Sequence, residues 1–310
     1  MGNFARGEAG FFIFMTTFTK QAKTPEQLIE LLKLRGLTIA DTTRTKRYIQ
    51  SIGYYRLSAY FIPFQEYKDT FRRGVTFDHI LALYIFDRKL RNHVMDAMER
   101  VEVAVRSVLS NTLCTAHGPH WYLDRQIFSE SFRYQEFKNN IAFHTGRNDN
   151  RNRNLSCRHY YDVYTEPALP PSWMIIEVLP MGTWSLVYEY LRRGKLRQKI
   201  SKFFAFSTND FTGWLHALTL IRNNCAHHNR FWNHTFPPKA KNIAKYTYAG
   251  IPLNTPYTNL AMIHAFLCSF TRNPSWSNGL YTLLKTCPVD THRHMEFPEN
   301  WEHIPFWRIS

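Results

Sequence analysis

From Phe77 to about Thr115, apolar side chains fall at positions 80, 83, 84, 90, 94, 98, 101, 105, 108, 109 and 113. These steps mark one face of a helix, and no proline or glycine interrupts them. The pattern predicts either one continuous helix, about 58 Å long at 1.5 Å per residue, or two helices with a break that the sequence hides. Upstream, Thr24-Pro25-Glu26 opens a shorter helix. Thr24 is placed to cap it, Pro25 sits in the first turn, Gln27 can complete a capping box and Gly36 stops it. A second helix is predicted from about Asp41 to Ser51, ending at Gly53. The aromatic residues of the following stretch, GYYRLSAYFIPF, read as core packing.

Downstream of the long helix, HGPHW at 117–121 is a stop signal, and a short helix is expected from about Ser131 to Phe143. Residues 144–158 carry four arginines, one aspartate and almost nothing apolar, and read as a loop. PALPPSW leads into a helix from Trp173 to about Leu191, interrupted near Pro180-Met181-Gly182. Ser207 or Asp210 caps the next, which runs through Trp214, Leu215, Leu218 and Ile221. Prolines 237 and 238 close that segment. Two more helices are predicted at about 256–271 and 276–286, with an aromatic tail packed on the body. Strand signals are few and repeats absent. The expectation is all-α, with a distinct N-terminal segment (1–18), a short helical extension (19–76) and a helical domain (77–310). Met15 precedes the first clean helical start and is a candidate natural initiator.

Composition sharpens this picture. Apolar residues make up 44% of the 310 residues, enough for a sizeable core, and the formal net charge is +15. An enzyme acting on small neutral molecules has no need of that excess. Its usual partners are nucleic acid, anionic membrane or an acidic protein. The apolar run at Phe11–Met15 is far too short to span a bilayer. The five cysteines show no CxxC spacing and read as reduced thiols of a cytoplasmic protein, not as a disulfide framework or zinc site.

The candidate chemistry lies in RNNCAHHNRFWNH, residues 222–234, which holds two arginines, three histidines and four asparagines. No acidic residue occurs between Asp210 and Asp290. The stretch therefore reads as uncompensated positive charge suited to a polyanion. On a helix, Asn223 and His227 share a face, with Arg230 a further turn along the same side. Arg222 lies about 140° from His227, within reach of a long guanidinium near a helix end. This set fits metal-independent phosphodiester cleavage. An imidazole moves a proton at the ribose 2′-OH or the leaving oxygen, an arginine offsets growing phosphate charge, and an asparagine orients either. A two-metal nuclease would need a carboxylate cluster. His227 and His228 with His216 or His234 lack standard metal-ligand spacing, so neither metal nor cofactor is expected. His228, Arg230, the loop arginines Arg147, Arg151 and Arg153, and the basic run Arg193, Lys195 and Arg197 are candidate RNA contacts. Phe231 and Trp232 read as core. The competing reading is an RNA-binding module that does not cut.

The stretch IRNNCAHHNRFWN resembles the C-terminal signature of the Abi-like family, the abortive-infection proteins of the AbiD/AbiF group. Four further blocks resemble it in order: LRGLTI at 34–39, IGYYRLSAYFIPF at 52–64, YIFDRKLRNHVMDAMERVEVAVRS at 84–107, and LPPSWMIIEVLPMGTWSLVYEYL at 169–191. VLPMGTW departs from the Ser-Phe-Gly of relatives. The resemblance implies a branch of the HEPN superfamily, hence a HEPN-like helical bundle whose RxxxxH motif maps onto Arg222, Asn223 and His227. It implies a homodimer, because two copies of the motif form one site and this chain has one. It also implies phage defence by an endoribonuclease or RNase toxin held silent until infection, and pairing with a small structured antitoxin RNA.

Overall fold

The structure is a computed structural model that describes residues 4–6, 12–14, 19, 21–147, 155–236, 252–271 and 275–309. The chain divides into two compact units, 1–84 and 85–310. It is mostly α-helical, with 13 α-helices and two small two-stranded antiparallel sheets among the described residues.

In the first unit, β1 (Phe4–Arg6) pairs with β2 (Phe12–Phe14). Helix α1 (Pro25–Leu34) begins at Thr24 with the expected reciprocal capping box to Gln27. Gly36 follows it at φ +90°, a conformation that favours glycine. Helix α2 (Thr42–Ile52) is capped by the Asp41 carboxylate, which accepts from the Arg44 amide, and α3 (Tyr54–Ser58) follows at once. Leu57, Tyr60 and Phe61 are buried as expected, whereas Tyr55 is 92% exposed. It faces outward because this segment forms a short helix with only one inner side. A hairpin of β3 (Gln65–Tyr67) and β4 (Thr70–Phe71) was not legible in the sequence. Its five residues carry no alternating pattern, and Asp69 turns it at φ +67°.

Helix α4 (Phe77–His117) is continuous for 41 residues. Ile80, Leu83, Leu90, Val94, Met98, Val101, Val105, Leu109 and Leu113 are each fully buried, whereas Tyr84 and Val108 of the predicted stripe are half-buried and lie at its edge. In the second unit α5 (Tyr134–His144) and α6 (Leu155–Val163) follow. The predicted loop therefore ends earlier than expected: Leu155 starts a helix and Cys157 is buried. Pro180 separates α7 (Ser172–Ile175) from α8 (Met181–Tyr190), as the sequence indicated. Helix α9 (Lys195–Phe203) leads to α10 (Thr208–Ala226), whose N-cap is Ser207.

Helix α10 packs against α8, α9 and α11 (Pro256–Phe270). Residues 255–267 are buried without exception, so α11 is a central helix buried on all sides, its polar Thr258, Asn259 and His264 included. Helices α12 (Trp276–Leu284) and α13 (Thr291–Met295) precede the aromatic tail, which packs inward through Trp301 and Trp307. His264 of α11 holds that tail: its ring stacks on Trp276 and Trp307, and its Nε2 lies 3.0 Å from the Phe306 carbonyl oxygen. A carbonyl can only accept, so Nε2 carries the proton of a neutral imidazole. The five cysteines are free thiols. No helix among the described residues is long and apolar enough to cross a membrane.

Leu109→Ala should cost about 2–5 kcal/mol of unfolding free energy, because the fully buried site leaves a cavity. Chemical denaturation measures it. Burial lowers the His264 imidazole to about 4, while the unfolded ring titrates near ~6.5. The unfolded state therefore binds more protons between those values, so stability falls as pH is lowered through that window, by up to roughly 3 kcal/mol from this residue. His93 and His234, also pushed down by burial, act in the same direction. His264→Gln, which keeps a donor for the Phe306 carbonyl, should flatten the stability–pH curve.

Candidate functional site

The motif occupies the end of α10. The Arg222 and Asn223 side chains are half-buried, and His227, the residue at which the helix stops, is exposed. The stop is a Schellman arrangement: the Asn229 amide donates to the Asn224 carbonyl at 3.0 Å and the His228 amide to the Cys225 carbonyl at 3.0 Å. His228 takes the left-handed position at φ +59°, where glycine is usual. The chain therefore reverses at His228, and Arg230 does not continue the helical face as expected. It lies in the return loop, where its carbonyl accepts from Asn224 Nδ2 at 3.1 Å. Asn223 links the other two motif residues, since its Oδ1 accepts from Arg222 Nη1 at 3.3 Å and its carbonyl from the His227 amide at 2.9 Å.

The sequence suggested that this cluster has no acid of its own. The structure corrects that reading, because α4 supplies two. Glu102, nearly buried, forms an ion pair with Arg106 one turn further along and lies 3.4 Å from Arg222 Nε. The second approach is close enough for charge attraction but lacks hydrogen-bond alignment. One carboxylate thus stands between two guanidiniums, leaving the trio with a single net positive charge. Burial pulls Arg106 below its ordinary value, Glu102 and Glu177 oppose that shift, and the Arg222 charge adds to it. These groups border an open cleft of about 630 Å³ that also takes in Asn92, Asp96 and Glu99. The cleft is therefore mixed in charge, not uniformly basic.

The second acid is Asp87, which has no exposed surface. Its Oδ1 accepts from the amides of Phe231 at 3.0 Å and Trp232 at 2.9 Å, and its Oδ2 pairs with the buried Arg91. Phe231 and Trp232 are themselves fully buried, so they are core residues, as expected. Cys225, on the inner side of the motif, has its thiol pushed up to about 12, chiefly by burial, and is an unreactive thiol at neutral pH. Asp87 and Glu102 were missed because each lies over 100 residues upstream. The available signal was an acid followed four residues later by an arginine, which occurs three times on this helix, at Asp87–Arg91, Asp96–Arg100 and Glu102–Arg106, and so does not by itself single out the two that meet the motif.

The outlying candidates do not gather at this cleft. Arg197 faces inward, donating to Thr212 Oγ1 at 3.0 Å and covering the Tyr188 ring, while Arg193 and Lys195 are exposed. Arg147 lies over the Tyr161 ring. Arg151 and Arg153 lie outside the described residues, as do prolines 237 and 238. Among the described residues, no three His, Cys, Asp or Glu side chains converge as metal ligands.

Asp87→Ala should cost about 3–5 kcal/mol, because it strands the buried Arg91 and two backbone amides. Replacing Asp87 and Arg91 together by leucine should recover part of that loss in the same denaturation assay.

The chain matches no curated protein and no solved structure. The family model for Abi-like proteins does match, over residues 47–233, which is more than half of the chain. That span contains Asp87, Glu102 and the whole of Arg222–Asn233, and leaves out LRGLTI at 34–39. The long helix and the motif it braces thus lie together inside one recognised unit, and the chain belongs to the Abi-like protein family.

Proposed function

We propose that this protein is an abortive-infection endoribonuclease of the HEPN type that cleaves RNA without a metal ion. The observation that carries the reading is the constellation at the end of α10: an exposed imidazole at His227, whose backbone amide donates to the Asn223 carbonyl, the Asn223 side chain accepting from Arg222, and Arg106 sharing Glu102 with Arg222. A helix C-terminus is the unfavourable end for an anion, so the attraction for a phosphate has to come from side chains. Arg222 and Arg106 supply it, and Glu102 holds the two forks side by side against their mutual repulsion.

In the proposed reaction the ribose 2′-OH attacks the adjacent phosphorus and the P–O5′ bond breaks. His227 moves the proton at one of these two oxygens, Arg222 stabilises the phosphorane, and Asn223 orients the pair. The products are a 2′,3′-cyclic phosphate and a 5′-hydroxyl. One chain carries one such set, and a second copy of the chain completes the site in a two-fold dimer. A chain held silent until infection and restrained by a small structured RNA accounts for how a cell tolerates it.

Purified protein should cut a labelled RNA in excess EDTA, leave a cyclic phosphate, and spare single-stranded DNA of the same sequence. His227→Ala should reduce cleavage by about 10²–10⁴-fold while RNA binding and helical content persist. Cleavage that needs a divalent ion, or a variant that cuts as well as the parent, would replace this reading with an RNA-binding module that does not cut. Light scattering tests the dimer: an active monomer would remove the two-copy site.

A further inference from the structure

Between Glu189 and Asp210 the chain has six lysines and arginines and no acid, and α9 sorts them into two classes. Arg197 turns inward to the first turns of α10, and its own carbonyl accepts from the Tyr188 hydroxyl at 3.0 Å. Ile200, Ser201 and Phe204 are buried on that side. Lys195, Lys199 and Lys202 stand at i, i+4 and i+7, which places them within about 60° of one another on the opposite face. All three are exposed, and among the described residues no carboxylate forms an ion pair with them. Beside this row, Phe203 leaves 55% of its surface open to solvent while its neighbour Phe204 is fully buried.

A row of unpaired lysines one turn apart, flanked by one open aromatic ring, suits a single nucleic-acid strand. The ammoniums meet successive phosphates and the ring takes a base. A membrane-lying helix would turn a broad apolar face outward, whereas the apolar face of α9 is spent on the interior. We propose that the outer face of α9, formed by Lys195, Lys199, Lys202 and Phe203, is a docking track for single-stranded RNA, remote from the cleavage site. The proposal rests on the ribonuclease reading for the identity of the strand.

Separation follows from helix geometry. Arg197 fixes α9 beside Thr212, which is 15 residues, or roughly 22 Å of helix, from His227. A strand that occupies both the track and the motif needs roughly six or seven nucleotides at the ~3.4 Å rise of a stacked strand. A trinucleotide reaches one or the other.

The test uses the full chain carrying His227→Ala, with fluorescein-labelled RNA of twelve and of three nucleotides, read by anisotropy across a salt series. Replacing Lys195, Lys199 and Lys202 by glutamine should flatten the log–log salt dependence for the twelve-mer by about 2 units. Phe203→Ala should weaken the twelve-mer by roughly five- to a hundred-fold with the slope unchanged. Cleavage of the trinucleotide by chains with His227 intact should be the same with and without the lysine substitutions. An unaltered slope, or vesicles of phosphatidylserine bound through these lysines in preference to RNA, would overturn the track. The two readings fail separately: a chain that never cuts but shows the slope change loses the ribonuclease and keeps the track, and a chain that cuts with an unaltered slope does the reverse.

Discussion

A carboxylate with no access to water must find its compensation inside the protein, and Asp87 draws on two distant parts of the chain for it. Arg91 neutralises it from the same helix, and the amides of Phe231 and Trp232 satisfy its remaining oxygen. This single group ties the segment after the motif to the longest helix of the chain. With Phe231 and Trp232 seated, the return loop is anchored at its far end. Asn224 closes its near end, and His227 is left exposed at the helix stop. The geometry of the motif is thus imposed from two sides, by the Schellman turn within α10 and by an acid from α4.

Electrostatically the site is a balance. Glu102 takes up half of the charge of two arginines that would otherwise repel each other, and Asp96 and Glu99 stand along the same cleft. Such a site attracts a phosphate less strongly than an all-basic groove would. If the proposed RNA is the ligand, affinity can be supplied elsewhere along the strand, while the cleft keeps the orientation of its guanidiniums. This division of labour is consistent with an excess of basic residues that does not concentrate at the motif.

Much of the fold was legible in the sequence because helical periodicity and caps are local. The α4 stripe, the Thr24 capping box, Ser207 and the Pro180 interruption all act within a few residues. What was not legible is what depends on distant chain segments. The β3–β4 hairpin is too short to show a period, and Leu155 begins α6 inside a run that composition marks as loop. At the candidate site, Arg222, Asn223 and His227 stood out by helical spacing and by the family resemblance. Their pairing with Glu102, and the reversal at His228 that removes Arg230 from the helical face, required the packing of α10 against another helix and the dihedral of one residue.

Asp87 and Glu102 also bear on how such a motif can be inherited. The thirteen residues 222–234 look like a cassette, but two of their partners reside on a helix more than a hundred residues earlier. Moved alone into another bundle, the cassette would bring Arg222 without the carboxylate that aligns it and two backbone amides with nothing to receive them. An exchange of α10 without α4 would therefore leave both sets of contacts unmade. Position 102 thereby constrains the side chain at 222, whereas position 87 asks of 231 and 232 only that neither be proline, although no stretch of sequence joins them.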